Sequence, residues 1–235
     1  MKFLFAIALA AVASSTNYQI QVDSLNFGGL PAASTNYQTS DTLGEVATGG
    51  SSSSSYQIKA GYQQMLGSSI SISAPSDLAL SGIQTTTGGQ SSGSVTWTVT
   101  TDNTGGYTLA IKSATSPALK SGGNGIDDYA PSGAVPDYAW SVAGTTAKFG
   151  FSVTSTDAPT RYLNNGSACD VGAITSTSNC WDGLSTTNRT IASRTTSNTP
   201  SGTATTVKFQ AEVGSTASVT AGDYRASVTA TALAS

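Results

Sequence analysis

The sequence predicts an all-β protein: an antiparallel β-sandwich preceded by an N-terminal β-strand repeat segment. Three observations predict it. Through residues 68–235 apolar side chains recur at every second position, as in Val95-Thr-Trp97-Thr-Val99 and Phe149-Gly-Phe151-Ser-Val153, the period of a strand buried on one face. Clusters of Gly, Pro, Asn and Asp punctuate these runs, and no stretch sustains a helical period. Near the N-terminus, Thr16-Asn-Tyr-Gln19, Thr35-Asn-Tyr-Gln38 and Ser54-Ser-Tyr-Gln57 recur with their tyrosines 19 residues apart, each opening a short alternating run, as a repeated strand unit would.

Residues 1–13 read as a signal peptide. Lys2 is the positive start, Phe3 to Leu9 the apolar core, and Ala11-Val-Ala13 the small-x-small cleavage site, so the mature chain is expected to begin at Ser14. No other segment approaches the roughly 20 apolar residues of a membrane helix. The mature chain is therefore expected not to insert in a membrane, and to be secreted, extracellular or at the cell surface. Cys169 and Cys180 fit that setting as a disulfide. With no histidine in the chain they cannot complete a tetrahedral zinc site, and their spacing is not that of a Cys-x-x-Cys redox pair.

Residues 14–67 hold the repeat. In its first copy Tyr18, Ile20 and Val22 share one face and Gln19 and Gln21 the other; Leu25 and Phe27 add apolar material after a one-residue shift. The second copy is more polar, and the third, Tyr56-Gln-Ile-Lys-Ala60, recovers the alternation. Gly28-Gly29, Gly49-Gly50 and Gly67 read as turns, and the serine tract Ser51–Ser55 as a flexible linker. Three such strands bury little surface alone and need a partner.

Residues 68–235 read as the sandwich domain. Ile70 and Ile72 give a first strand, and Leu78, Leu80 and Ile83 a second. Val95–Val99 and Tyr107–Ile111 are expected to pair as a hairpin across Asp102-Asn-Thr-Gly-Gly106, with Trp97 in the core near Phe149, Phe151 and Phe209. Residues 113–147 and 157–206 are long excursions expected to hold little regular structure, the second clipped by the disulfide. Between and after them come strands marked by Phe149, Phe151 and Val153, by Val207, Phe209, Ala211 and Val213, and by Tyr224 through Ala232.

Charged residues make up 10% of the chain, against about 25% in ordinary globular proteins, so the charge pattern narrows function more than usual. A net charge of −3 without any basic cluster speaks against a nucleic-acid partner. The absence of histidine excludes Ser-His-Asp and Cys-His catalysis. Asp127-Asp128 or Asp182 can be nominated as glycosidase carboxylates, but acidic residues in glycine-rich loops are ordinarily turn formers, and no nucleophile stands beside an activator. The chain is thus read as having no enzymatic activity and no cofactor. Asn124, Asp127 and Asp128, with Asp137, are the candidate calcium ligands, oxygens on a loop; their spacing is not that of an EF-hand, and turn chemistry accounts for them without a metal. Asn165-Gly-Ser167 and Asn188-Arg-Thr190 are formal glycosylation sequons.

The Asn-Tyr-Gln repeats, with Thr42-Leu-Gly-Glu45 between them and Tyr56-Gln-Ile-Lys-Ala-Gly-Tyr62 at their end, resemble the short N-terminal modules of secreted bacterial surface proteins. Trp97-Thr-Val-Thr-Thr-Asp-Asn103 and Gly106-Tyr-Thr-Leu-Ala-Ile-Lys112 resemble the immunoglobulin-like β-sandwich domains that accompany such modules. The resemblance implies a structural role outside the cell and carries over no functional residue.

The leading expectation is a structural subunit of an extracellular filament, pilus-like fibre or surface layer. In it the segment carrying Tyr18, Ile20, Val22, Leu25 and Phe27 completes the sheet of another copy, making a homopolymer by inter-subunit β-strand complementation. The alternative is a secreted adhesin or carbohydrate-binding module that meets surface glycans through Trp140, Trp181 and tyrosines of the two excursions.

Overall fold

A computed structural model describes residues 68–73, 75–84 and 86–235, together with four short strands between residues 32 and 60. The signal segment 1–13, the assembly strand Tyr18, Ile20, Val22, Leu25 and Phe27, and the turn at Gly28-Gly29 lie outside the described residues. The chain forms two units, Met1–Gly67 and Ser68–Ser235. In the first, β1 (Ala32–Ala33) pairs antiparallel with β2 (Gln38–Thr39), and β3 (Gly49–Ser52) with β4 (Gln57–Ala60). The third repeat copy is thus a strand, but its partner is a surprise. Gly49-Gly50 and the start of the serine tract form β3 instead of a turn and a linker, because the nearest chain able to satisfy the main-chain groups of β4 lies just across residues 53–56.

The second unit is a two-sheet sandwich. Its strands are β5 (Ile70–Ile72), β6 (Gly89–Thr101), β7 (Tyr107–Ser113), β8 (Leu119–Ser121), β9 (Asn124–Asp128), β10 (Ala147–Ser155), β11 (Asp182–Gly183), β12 (Arg189–Arg194), β13 (Thr203–Val213) and β14 (Val228–Ala234). The larger sheet runs β5-β6-β13-β10-β9-β8, and the smaller β12-β7-β14. The described residues hold no α-helix, only a 3-10 turn at Thr160–Tyr162. All neighbours are antiparallel except β9 and β10. One edge of β10 is taken by β13 and the other is shared, with β9 opposite Lys148 and Phe149 and β11 opposite Gly150 and Phe151.

Register fixes which residues meet in the core. Phe149, Phe151 and Val153 of β10 stand opposite Ala211, Phe209 and Val207 of β13, while Val207 and Thr205 stand opposite Val95 and Trp97 of β6. These residues share the inner face. From the smaller sheet Tyr107, Leu109 and Ile111 face them, joined by Ile191 of β12. Trp97 is buried in this cluster, as its alternating neighbours predict. Each large apolar side chain buried here contributes about 1.5–3 kcal/mol, which makes this core the main source of stability.

Four sequence expectations are corrected. Val95–Val99 and Tyr107–Ile111 are not a hairpin, since β6 and β7 lie in opposite sheets. The turn between them is a corner: the Gly106 amide donates to the Asn103 carbonyl and the Gly105 amide to Asn103 Oδ1. Gly106 has φ +81, and an added Cβ would overlap the Arg194 carbonyl, so only glycine lets the chain swing from one sheet to the other. Residues 75–84 form no strand. Leu78 and Leu80 instead lie over Gly93 of β6, whose missing side chain leaves them room. The excursion 113–147 contains a hairpin, β8 and β9, closed by Gly122-Gly123, and 157–206 contains β11 and β12. The last strand begins at Val228, because Arg225 is bridged instead to Lys120 of β8.

Candidate functional site

The two excursions converge on the outer face of the larger sheet. There Tyr129 stacks on Trp140, ring centroids 4.5 Å apart, and Trp140 meets Trp181 edge-on at 4.9 Å. The sheet makes room through Gly150, where an added Cβ would lie 3.0 Å from the Trp140 ring. Trp140 Nε1 donates to Glu212 Oε2 at 2.6 Å, Lys208 Nζ lies 5.5 Å from the Trp181 ring centre, and Ser152 Oγ donates to the Thr177 carbonyl at 2.8 Å. Trp181 is 2% exposed. The tryptophans offered as a glycan platform are therefore a clamp that fastens the excursions to the sheet, Trp181 buried and Trp140 half-buried.

Beside this clamp lies a charged cluster. The 3-10 turn supplies Arg161 and Tyr162, β11 supplies Asp182, and the first residue of β12 is Arg189. Asp182 Oδ2 accepts from Arg161 Nη2 at 2.7 Å, from Tyr162 OH at 3.1 Å and from Arg189 Nη1; Oδ1 accepts the Gly183 amide at 2.9 Å. The Asp182 side chain is 2% exposed, whereas each guanidinium side chain is 32% exposed. Burial, followed by the charge of Asp182, pushes the Tyr162 phenol far above its usual range. Arg161 is shifted upward as well: burial opposes its charge, but the Asp182 carboxylate outweighs that.

The two arginines form part of the wall of an open cleft of about 550 Å³, with Pro131, Gly133, Ala134, Thr160, Asn188 and Thr190 around them. Among the described residues no second carboxylate lines it, and Asp182 is buried with four protein donors on its oxygens, three of them on Oδ2. The sequon residue Asn188 is exposed on the rim. Asn165 is instead tied into its own turn, its Oδ1 accepting from the Ser167 and Ala168 amides. Sequence reading nominated Asp182 but missed Arg161 and Arg189. The signal available was their rarity, two of ten basic residues in a chain of hydroxyls.

The candidate calcium ligands do not converge. Asp127 pairs with Lys148 Nζ at 3.2 Å. Its neighbour Asp128 points to the other side of β9 and accepts from Ser116 Oγ and the Ala118 amide at 2.8 and 2.9 Å. Asp137 accepts from Tyr129 OH at 2.8 Å and from the Ser132 amide and hydroxyl. Among the described residues no group of three His, Cys, Asp or Glu side chains is placed to hold a metal.

The disulfide between Cys169 and Cys180 is formed, with both residues buried in the core cluster, and such a bond belongs to a chain that matures in an oxidising environment. Among the described residues no helix is long and apolar enough to cross a membrane. No protein-family model, curated protein or solved structure matches the chain.

Proposed function

We propose that this chain is a secreted structural subunit of an extracellular homopolymer, a pilus-like fibre or surface layer, in which residues 18–22 of one copy add as a strand to β14 of the next. The observation that carries the reading is the outer edge of β14, which no strand among the described residues pairs. The Ala114 amide donates to the Ser227 carbonyl and the Ser235 amide to the Gly106 carbonyl. With the β7–β14 register, this makes Thr229, Thr231 and Leu233 the residues that bond to β7. The main-chain groups of Val228, Ala230, Ala232 and Ala234 then point the other way, where no described strand pairs with them. The inward side chains of Val228, Ala230 and Ala232 are only half-buried, and Leu233 on the opposite face is 61% exposed. β5 approaches β14 without pairing to it, and an edge that no described strand pairs, over a half-covered apolar row, accommodates an added strand. The alternation of Tyr18, Ile20 and Val22 supplies one whose apolar face would cover that row, and the signal-like residues 1–13 and the disulfide agree with assembly outside the cell.

Ile20→Asp tests the donor. Three apolar side chains buried at about 1.5–3 kcal/mol each would hold the contact, and a carboxylate among them has no water to reach. The variant is expected to stay folded and to lose assembly by size-exclusion chromatography and negative-stain microscopy, while Gln19→Asp, on the other face, keeps it. Filaments from Ile20→Asp that match the parent's, or a parent that is monomeric throughout, would sink the reading. The adhesin alternative is weakened by the packing of Trp140 and Trp181 against the sheet.

A further inference from the structure

The cluster at Arg161, Asp182 and Arg189 has uneven charge: two guanidiniums share one carboxylate. Asp182 engages one nitrogen of each arginine, yet a guanidinium carries five N–H donors. Nε of Arg161 is buried and has no protein partner. The remaining donors belong to side chains that are one-third exposed and that line the same open cleft of about 550 Å³. Among the described residues no other acidic residue lines that cleft; its remaining polar walls are Thr160, Thr187, Asn188 and Thr190, all neutral. Asp182 and the buried Tyr162 hold the two arginines in place, so the cost of ordering them is met before any ligand arrives.

We propose that this cleft is a binding site for a carboxylate-bearing saccharide, a uronic acid unit of an acidic glycan. The planar carboxylate matches the guanidinium fork and restores the charge balance that Asp182 leaves open. The threonine hydroxyls and the Asn188 amide suit the ring hydroxyls of a sugar, and because a guanidinium fork also takes other oxyanions, the sulfate arm below separates them from a carboxylate. The site lies away from β14 and its use does not depend on assembly.

The test is a titration of the purified native chain with tri-galacturonate, read by calorimetry and by amide shifts of residues 159–162 and 187–190. Glucose oligomers, sodium sulfate and an acidic peptide serve as the other arms. Saturable binding of the uronate alone is expected. Two variants keep the proposal falsifiable. Arg189→Gln removes one fork, and Gly133→Glu sets a competing carboxylate at the mouth, where an added side chain meets nothing within 4 Å. The second replaces no residue of the ion cluster. Each should weaken binding roughly tenfold or more, the effect of losing a charge-assisted hydrogen bond. Absence of saturable binding overturns the proposal. So does equal affinity in Gly133→Glu, or sulfate or peptide binding as tightly as the uronate.

Discussion

Changing Asp182 to Asn keeps the size of the side chain and removes its charge, which isolates what the carboxylate does for the two arginines that bracket it. The three side-chain donors share Oδ2 and the Gly183 amide takes Oδ1, so an Asn with its one oxygen in the place of Oδ2 sets an NH2 against the Gly183 amide and leaves the two guanidiniums without the charge between them. Because the arginines are partly exposed, the cost should fall below the usual figure for a broken buried pair, at about 2–3 kcal/mol, measured as a fall in the denaturant midpoint. An unchanged midpoint would show that water replaces the carboxylate freely. The tyrosines give a second prediction at this scale. Burial, then a neighbouring aspartate, raises the phenols of Tyr107, Tyr129 and Tyr162, the partners being Asp157, Asp137 and Asp182. A phenol whose folded pKa is raised stabilises the fold fully below its ordinary value near 10, and that share is lost as pH climbs through the folded value. Of nine tyrosines, these three are expected to stay silent in an alkaline absorbance titration until the fold itself opens. Ionisation of all nine in one step near pH 10 would contradict the burial.

For the strands, the edge of β14 makes a prediction that depends on one-residue parity. Ala230→Pro deletes an N–H that β7 does not use, so the sandwich should fold while strand addition is blocked. Thr231→Pro deletes one that bonds to β7 and should destabilise the fold itself by about 1–3 kcal/mol, the cost of leaving a ladder acceptor without its donor. Equal effects on folding would mean that the parity is reversed. The same two strands show what could be read from the sequence. The alternation around Trp97, Phe151 and Phe209 located β6, β10 and β13 because period two records burial on one face. It does not record the partner: Tyr107–Ile111 alternates equally well beside β6 or across from it, and the overlap that Gly106 avoids comes from Arg194, 88 positions away. Residues 75–84 misled for a related reason, since Leu78 and Leu80 bury their side chains without a ladder. At the candidate site, Asp182 was visible as a lone acid, but its partners on the 3-10 turn and on β12 follow no period.

Over the whole sandwich, the disulfide should matter locally. Closing the segment between Cys169 and Cys180, 11 positions apart, is worth about 3 kcal/mol in the chain-entropy account. Both cysteines adjoin the core, and Trp181 and Asp182 follow directly. Reduction is therefore expected to speed amide exchange over residues 164–183 and lower the melting temperature while the far-UV β signal persists; collapse of that signal would mean the bond holds the sandwich together. The pairing of β6 with β13 carries a consequence of another kind. Its contacts join residues more than a hundred positions apart, such as Thr96 and Thr206 with a separation of 110, and among the described strands β13 alone links β6 to β10. A topology of such high contact order pays its loop-closure entropy before any contact rewards it, and folds in milliseconds to seconds instead of microseconds. A nascent chain therefore has nothing to close its larger sheet until residue 213 has been made, and the halves β5-β6 and β8-β9-β10 wait unjoined until then.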